Sequence, residues 1–308
     1  MRRMSALILV VAALLLAQRP PASTDADVPP PGESKVVESP GVIGKLYLHT
    51  IDSKHLGKAR TIRVWMPANL DPDQKHPVIY MHDGQNLFDD TIATQGGWKM
   101  DDTVARLVGL KEMRPAVIVG IDNGGSDRIA ELSYTPAPQL GGGDAEKYAA
   151  FVLEEVMPLV EAEYPVSTKP ADRVLGGSSL GALVSLEMAY RHPDTFAGVL
   201  AMSPSIWWPT DPIAQRLARD PGGLAGTKVY LDMGTAEVGK ADQAAALVQA
   251  TRQFAALLEQ RGATVNLFIA TRGQHNEVNW ARRLPSALKF LLPADESDAK
   301  NPSTLPAE

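Results

Sequence analysis

Short apolar segments alternate with longer amphipathic segments along most of this chain. Two early segments, 45–51 and 61–66, alternate with period two and predict an antiparallel strand pair. Later runs are apolar at nearly every position, as strands buried on both faces are, at 77–81, 116–121, 173–175, 198–202, 229–233 and 265–270. Between these runs, apolar residues recur at helical spacing in 145–164, 180–190, 241–260 and 280–292.

This order of elements restricts the fold class. Strands that alternate with helices predict an α/β domain with a mostly parallel central sheet, an antiparallel N-terminal strand pair and helices on both faces. In such a sheet the functional site lies at the carboxyl ends of the strands. Candidate site residues are therefore sought in the loops that follow the predicted strands.

The 308 residues divide into four predicted regions. Residues 1–17 place Arg2 and Arg3 before an apolar run too short to span a bilayer, which is typical of a secretory signal peptide, with an uncleaved anchor as the alternative. Residues 18–40 hold six prolines and predict an extended linker. Residues 41–293 are the predicted α/β domain, and 294–308 are predicted to be a disordered acidic tail.

These regions predict a periplasmic or secreted protein with no stable membrane insertion after signal cleavage. The chain contains no cysteine, which excludes disulfides, thiolate metal sites, iron–sulfur clusters and a cysteine nucleophile. A net charge of −6 argues against nucleic acid as the main partner. No cluster of His, Asp and Glu has the spacing of metal ligands, so we expect no metal and no cofactor.

Residues 177–181 form the pattern G-x-S-x-G around Ser179. The pattern directly follows the strand at 173–175 and directly precedes the helix at 180–190, the strand–turn–helix context of a nucleophile elbow. Ser179 is therefore the candidate nucleophile, and the backbone N–H of Leu180, at the start of the helix, is a candidate oxyanion donor. A tight turn with a helix-capping serine is the alternative.

A serine nucleophile requires a base, and histidine is the usual one. Because the chain order in this type of site is serine, acid, histidine, the base is expected well after Ser179. His275, in the loop after the last strand, meets this condition. The acid is expected after the next-to-last strand, where Glu237 lies in the loop and Asp232 lies inside the strand. We favour Glu237, whose alternative role is that of an exposed carboxylate at a helix N-terminus.

Several motifs occur together and in a fixed order, from a first loop at 82–89 to a last loop that begins at His275. They are HDGQNLFD at 82–89, GIDNG at 120–124, GGSSLGA at 176–182, SPSIWW at 203–208, GTAE at 234–237 and the loop from His275 to Trp280. With these motifs the chain resembles the putative-esterase family of α/β-hydrolases. That family includes enterochelin esterases, feruloyl and acetyl esterase domains, S-formylglutathione hydrolases and mycobacterial mycolyltransferases.

The resemblance implies the α/β-hydrolase fold and the same triad of Ser179, Glu237 and His275. It also implies that the loop after the third strand supplies the second oxyanion donor, the backbone N–H of Gly84 or Gln85. The side chains of His82 and Asp83 are expected to brace that loop.

Four of the five tryptophans lie in the motif loops: Trp98, Trp207, Trp208 and Trp280. They predict an apolar wall of a substrate pocket, with packing of the loops against one another as the alternative. Arg128 and Glu131 are predicted to form a structural ion pair near the mouth of the pocket.

Together these residues predict a serine esterase that acts on a small-molecule or polysaccharide-linked ester. Three alternatives stay open: an acyltransferase with the same triad and a sugar or alcohol acceptor, a serine peptidase, and a non-catalytic binding protein on a hydrolase scaffold. The residues do not distinguish siderophore, feruloyl, acetyl and other esters.

Overall fold

The computed structural model describes residues 32–39, 41–88, 93, 96–210, 212–220 and 222–295. The predicted signal peptide at 1–17, the linker before residue 32 and the tail after residue 295 lie outside the described residues. No helix within the described ranges is long and apolar enough to cross a membrane.

A mixed sheet runs through the described part of the chain and contains nine strands. Their order in space is β1-β2-β3-β5-β4-β6-β7-β8-β9, with antiparallel pairing from β1 to β5 and parallel pairing from β5 to β9. This arrangement confirms the predicted α/β fold with an antiparallel N-terminal pair. The strands are β1 Ser34–Val37, β2 Lys45–Ser53, β3 Lys58–Met66, β4 Val78–His82, β5 Val117–Ile121, β6 Arg173–Ser178, β7 Gly198–Met202, β8 Lys228–Gly234 and β9 Thr264–Ala270.

Helices cover both faces of this sheet. They are α1 Met100–Gly109, α2 Arg128–Glu131, α3 Ala145–Phe151, α4 Met157–Glu163, α5 Leu180–Arg191, α6 Ile213–Arg219, α7 Ala241–Gln260 and α8 Glu277–Leu291. A π-helical turn, Val152–Val156, joins α3 to α4, so the predicted helix at 145–164 is one interrupted helical segment. Three short helices, α1, α2 and α6, are not among the elements predicted from the sequence.

Two apolar clusters lie on opposite faces of the sheet. Alternate residues of β4 divide between them: Tyr80 packs in the cluster under α3 to α7, and Ile79 and Met81 pack in the cluster under α1 and α8. Every residue of β4, β5 and β7 is buried. Burial on both faces explains why these strands lack the polar alternation of β2 and β3.

The register of the parallel strands brings their carboxyl ends to one edge. Ser178, the last residue of β6, pairs with Met202, the last residue of β7, and Gly234 of β8 pairs with Ala270 of β9. The loops that follow these strands therefore begin side by side, although they are separated by tens of residues in the sequence.

The predicted linker at 18–40 requires a correction, because its last part forms β1. Ser34 to Val37 pair with His49 to Leu46 of β2. The strand is mostly exposed, so backbone hydrogen bonds rather than burial hold it on the sheet. The last proline of the PPP run is Pro31, which leaves the N–H groups of Ser34–Val37 free to join the ladder.

The predicted ion pair between Arg128 and Glu131 is wrong. Glu131 accepts two hydrogen bonds from Arg60 of β3, at 2.7 and 2.8 Å, and both side chains are buried. Arg128 instead binds Asp83, which follows β4. Arg128 and Glu131 therefore tie α2 to the residue after β4 and to β3, respectively, both of which are distant in the sequence.

Replacing Glu131 tests how much the buried pair contributes. In Glu131→Gln, Arg60 keeps a buried charge without its partner, and we expect the free energy of unfolding to fall by about 3 kcal/mol. Denaturant titration measures the change. The matched control is Asp144→Asn, which breaks the exposed Asp144–Lys147 pair and should cost less than about 0.5 kcal/mol. Equal losses in the two variants would contradict the assignment of Arg60 and Glu131 as a buried structural pair.

Candidate active site

Ser179 lies at a sharp turn between β6 and α5. Its φ is 57° and its ψ is −119°, a left-handed φ that is strained for a residue with a side chain. The turn brings backbones so close that a Cβ on Gly177 would lie 2.9 Å from the carbonyl carbon of Gly181. The turn thus requires glycine at position 177. The hydroxyl of Ser179 makes no capping bond to α5, which removes the support for the alternative of a capping serine.

Leu180 is the first residue of α5. The first N–H groups of a helix have no carbonyl partner within it and carry a partial positive charge. The N–H of Leu180 directly follows the serine on which an acyl group would be carried. Its position is therefore suited to an anionic oxygen.

His275 and Glu237 are in direct contact. Nδ1 of His275 lies 2.5 Å from Oε2 of Glu237. A carboxylate accepts this bond, so Nδ1 carries the proton and Nε2 holds the free lone pair. Nε2 is buried and has no hydrogen-bond partner among the residues described. The imidazole is thus oriented, with its basic nitrogen unoccupied.

The other oxygen of Glu237 is also bound. Oε1 accepts a hydrogen bond from the N–H of Gly234 and another from the hydroxyl of Ser203, both at 2.7 Å. Burial raises the pKa of Glu237, but attraction to His275 and the hydrogen bonds from His275 and Ser203 outweigh burial and hold the pKa below its usual value. Glu237 is therefore ionised at neutral pH.

Ser203 connects Glu237 to a buried pair of charged side chains, Asp232 and Arg283. Its hydroxyl accepts hydrogen bonds from Trp280 Nε1 and Arg283 Nη2, both at 2.9 Å, while it donates to Glu237. Its N–H donates to Asp232, which lies 2.8 Å from Nε of Arg283. Neither Ser203 nor Arg283 is among the site residues predicted from the sequence. Ser203 could have been found, because it lies in the SPSIWW motif. Arg283 could not, because it reaches the site only when α8 packs against the sheet beside β8.

Asp232 and Glu237 occupy different environments, although both are buried. Burial raises the pKa of Asp232 to about 7, against the attraction of Arg283. Glu237 contacts the imidazole and Asp232 does not. The expectation that Asp232 is structural agrees with its contacts to Arg283 and to the backbone of Ser203.

The loop after β4 begins with Asp83, whose φ is 57°, and continues as the 3₁₀ turn Gly84–Asn86. Within the turn, the N–H of Asn86 binds the carbonyl of Asp83 and the N–H of Leu87 binds that of Gly84. The N–H groups of Gly84 and Gln85 stand at the start of the turn, where no carbonyl of the turn reaches them. A Cβ on Gly84 would lie 2.5 Å from the backbone of Gly120, so only glycine fits.

The same loop lies against the start of α5. A Cβ on Gly181 would be 3.2 Å from Cβ of His82 and 3.4 Å from a carboxylate oxygen of Asp83. Gly84 and Gln85 therefore follow a segment that touches the turn of Ser179. This is the neighbourhood in which the second oxyanion donor was expected.

Polar side chains brace this loop. Asp83 accepts bonds from Nε and Nη2 of Arg128, at 2.6 and 2.8 Å, and from Asn123 at 2.6 Å. Nδ1 of His82 lies 2.7 Å from the hydroxyl of Tyr148. Both side chains thus contact protein groups, in keeping with the expected bracing role.

A further hydrogen bond joins the two loops of the site. Nδ2 of Asn86 donates to Oε1 of Glu277 at 3.1 Å. Glu277 is the first residue of α8 and lies two positions after His275. The loop after β4 and the loop that carries His275 are therefore tied directly to each other.

The four loop tryptophans do not share one surface. Trp207 is half-buried and borders a cleft beside Glu237 and His275, together with the apolar side chains of Pro204, Met233, Val238 and Leu247. Trp98, Trp208 and Trp280 are at most 3% exposed and belong to the packed interior. The apolar wall expected from four tryptophans is thus represented only by Trp207 within the described ranges.

The buried tryptophans support the loops from behind. The ring of Trp280 meets the His275 ring edge-on at 5.0 Å between centroids and packs against Trp98 at 5.9 Å. Nε1 of Trp208 donates to the carbonyl of Thr135 at 2.9 Å. The indole N–H groups of Trp208 and Trp280 thus each have a hydrogen-bond acceptor inside the protein, as buried tryptophans usually do.

No group of three or more His, Asp or Glu side chains among the described residues could hold a metal ion. The candidate site residues supply a serine hydroxyl, a carboxylate-bound imidazole and backbone N–H donors. These groups are suited to acyl transfer.

The sequence from 53 to 291 matches the model of the family described as "Putative esterase". The chain belongs to this esterase family. The matched residues include Ser179, Glu237 and His275 together with all the parallel strands.

Individual relatives agree with this membership. The chain is 27% identical over 243 residues to YjcH, an uncharacterized protein of Bacillus subtilis, covering 78% of this chain and 94% of that one. It is 30% identical over 155 residues to the iron(III) salmochelin esterase of Escherichia coli O6:H1, covering 49% of this chain and 34% of that protein. A solved structure described as a ferulic acid esterase shares the fold with a TM-score of 0.64 and 22% identity, over 84% of this chain and 98% of that one.

The stability of this esterase-family protein should depend on pH through His82. Burial lowers the pKa of His82 to about 4. Between about pH 6.5 and pH 4 the unfolded chain binds a proton that the folded chain does not, so the free energy of unfolding falls by about 2 to 3 kcal/mol as pH drops. In His82→Gln this contribution should be absent, and urea titrations at pH 7 and pH 4.5 should show a smaller loss.

The parent protein, titrated with urea at the same two pH values, is the reference for this experiment. If His82→Gln also lost as much as the parent, the buried neutral state of His82 would be disproved.

Proposed function

We propose that this protein is a serine esterase that hydrolyses carboxylic esters through an acyl-enzyme on Ser179. The contact between His275 and Glu237, with Nε2 of His275 left unoccupied, is the observation that carries the proposal. Membership of the esterase family supports it independently. The strained backbone of Ser179 adds support, because such strain is concentrated at functional sites.

In the first half of the reaction Oγ of Ser179 attacks the carbonyl carbon of the ester. His275 Nε2 takes the hydroxyl proton, and the carbonyl electron pair moves onto its oxygen. The N–H groups of Leu180 and of Gly84 or Gln85 donate to that oxyanion. Glu237 stabilises the imidazolium, which then gives its proton to the departing alcohol.

In the second half water attacks the acyl carbon of the acyl-enzyme. His275 takes a proton from the water, the same N–H groups hold the oxyanion, and Oγ of Ser179 leaves and is protonated by His275. The products are a carboxylic acid and the free enzyme. Every proton in the cycle passes through one nitrogen atom, which is why that atom must be free in the resting enzyme.

The substrate is proposed to be a small-molecule or polysaccharide-linked ester. Relatives named as an iron(III) salmochelin esterase and a ferulic acid esterase provide two ester classes for testing, salmochelin esters and ferulic acid esters. A panel of these, with acetylated sugars and simple aryl esters, measures kcat/KM for each class. Product analysis with an added alcohol acceptor separates hydrolysis from acyl transfer.

Substitution of the triad tests the assignment directly. Ser179→Ala should lower kcat by at least about 10,000-fold, because the nucleophile is lost while binding remains. His275→Ala should be similarly inactive, and Glu237→Gln should lose about a thousandfold or more, because the amide no longer stabilises the imidazolium. The measurements are steady-state kinetics and labelling by a fluorophosphonate probe.

The matched control is Ser185→Ala in α5. Ser185 is fully buried and its hydroxyl binds only the carbonyl of Gly181 within the described residues, so this variant should retain activity. Ester hydrolysis that survives in Ser179→Ala would refute the proposal.

We propose further that the protein is exported and works in the periplasm or outside the cell. The support is the basic and apolar pattern of residues 1–17. Fractionation of the producing cells and N-terminal sequencing should find a shortened chain that begins shortly after residue 17. A full-length chain recovered from the cytoplasm would contradict export.

A further inference from the structure

A three-residue segment after β7 touches both ends of the candidate triad. The hydroxyl of Ser203 binds Glu237 at 2.7 Å, and Oγ of Ser205 lies 3.3 Å from Oγ of Ser179. The segment is the SPS part of the SPSIWW motif. The proposed mechanism gives it no role, although it contacts the group that attacks the substrate.

Main-chain bonds fix Ser205 beside the nucleophile. Its N–H donates to the carbonyl of Ser179 at 3.1 Å, and its own carbonyl accepts from the N–H of Trp208 at 3.0 Å. Pro204 restricts the backbone immediately before it. The side chain is 1% exposed. The position of the Ser205 hydroxyl is therefore set by the backbone on both sides.

The proposed proton transfer indicates which hydroxyl donates at this contact. Oγ of Ser179 is the hydrogen-bond partner found for the Ser205 hydroxyl within the described ranges. If Ser205 donates, the hydrogen of Ser179 is not used in this bond and is free for transfer to Nε2 of His275, which has no hydrogen-bond partner among the described residues. If Ser179 donated instead, Ser205 would hold the hydrogen that the reaction must remove. The proposed mechanism therefore favours Ser205 as the donor.

We propose that Ser205 is a further catalytic residue, whose hydroxyl donates a hydrogen bond to Oγ of Ser179 while that oxygen carries negative charge. This role rests on the proposed serine esterase function. In acylation the bond between Oγ and the carbonyl carbon forms as the proton of Ser179 moves to His275. Ser205 keeps its own proton throughout and only polarises towards Oγ.

The same hydrogen bond acts again when the acyl group is released. Oγ then leaves the acyl carbon with the bonding electron pair, and Ser205 stabilises that charge until His275 returns a proton. In the acyl-enzyme itself Oγ is an ester oxygen and a weak acceptor. The hydrogen bond is therefore stronger in both transition states than in the states between them, which is the condition for lowering a barrier.

The test compares Ser205→Ala with the parent enzyme and with Ser185→Ala, which removes another buried hydroxyl. Steady-state hydrolysis of a soluble aryl ester gives kcat and KM, and fluorophosphonate labelling gives a second-order rate constant for attack alone. We expect kcat and the labelling rate to fall about tenfold to a hundredfold in Ser205→Ala, the range for losing a hydrogen bond to a charged group. KM should stay within about twofold, because the hydroxyl acts on Oγ and not on the bound ester.

A second variant guards against misfolding. Ser205→Cys is close to serine in size and a weaker donor, so it should keep the thermal unfolding transition and still react more slowly. Ser205→Thr, which restores a hydroxyl, should recover part of the labelling rate. If Ser205 had only a structural role, its variants would unfold at a lower temperature, and they would not show a fall in kcat at an unchanged KM.

The outcomes distinguish this inference from the proposal on which it rests. A parent enzyme that neither hydrolyses esters nor takes the probe would overturn the serine esterase function and this role with it. An active parent whose Ser205→Ala and Ser205→Cys variants hydrolyse and label at the parent rate, or faster, would overturn the role of Ser205 alone.

Discussion

The buried carboxylate of Glu237 is the charge around which the site is organised. A carboxylate removed from water is stable only where hydrogen bonds and opposite charge replace its hydration. Here the imidazole of His275, the hydroxyl of Ser203 and the N–H of Gly234 supply that replacement. These partners come from the ends of β7, β8 and β9, so the stability of one charge requires three strands in correct register.

Three adjacent parallel strands end in the same way. The residue directly after β4, β6 and β7 is, respectively, Asp83, Ser179 and Ser203, and each has a positive φ although none is glycine. Each such backbone costs of the order of 1–3 kcal/mol, and the packed sheet beneath must hold it. The sharp turns direct these loops across the edge of the sheet, so that Ser203 contacts Glu237 and Ser205 contacts Ser179.

Much of the fold was accessible from the sequence because local patterns report burial. Dense apolar runs marked the parallel strands, and the G-x-S-x-G pattern marked a turn whose close backbone approach requires Gly177. The predictions that are wrong or incomplete concern which side chains contact each other. Arg128 and Glu131 are three residues apart, yet their partners are Asp83 and Arg60, which only the folding of α2 over the sheet brings close. Trp98 and Trp280 pack against each other across 182 residues, a contact that no local pattern contains.

The sequence by itself indicated the order of the main strands and helices and the position of Ser179 in its turn, because these depend on residue type and short-range spacing. Only the tertiary structure decided which atoms touch. It placed Glu237 rather than Asp232 on the imidazole, left Nε2 of His275 free and set Ser205 beside Ser179. The reason is physical: hydrogen bonds and charge compensation act over about 3 Å, and strand register brings distant loops within that range.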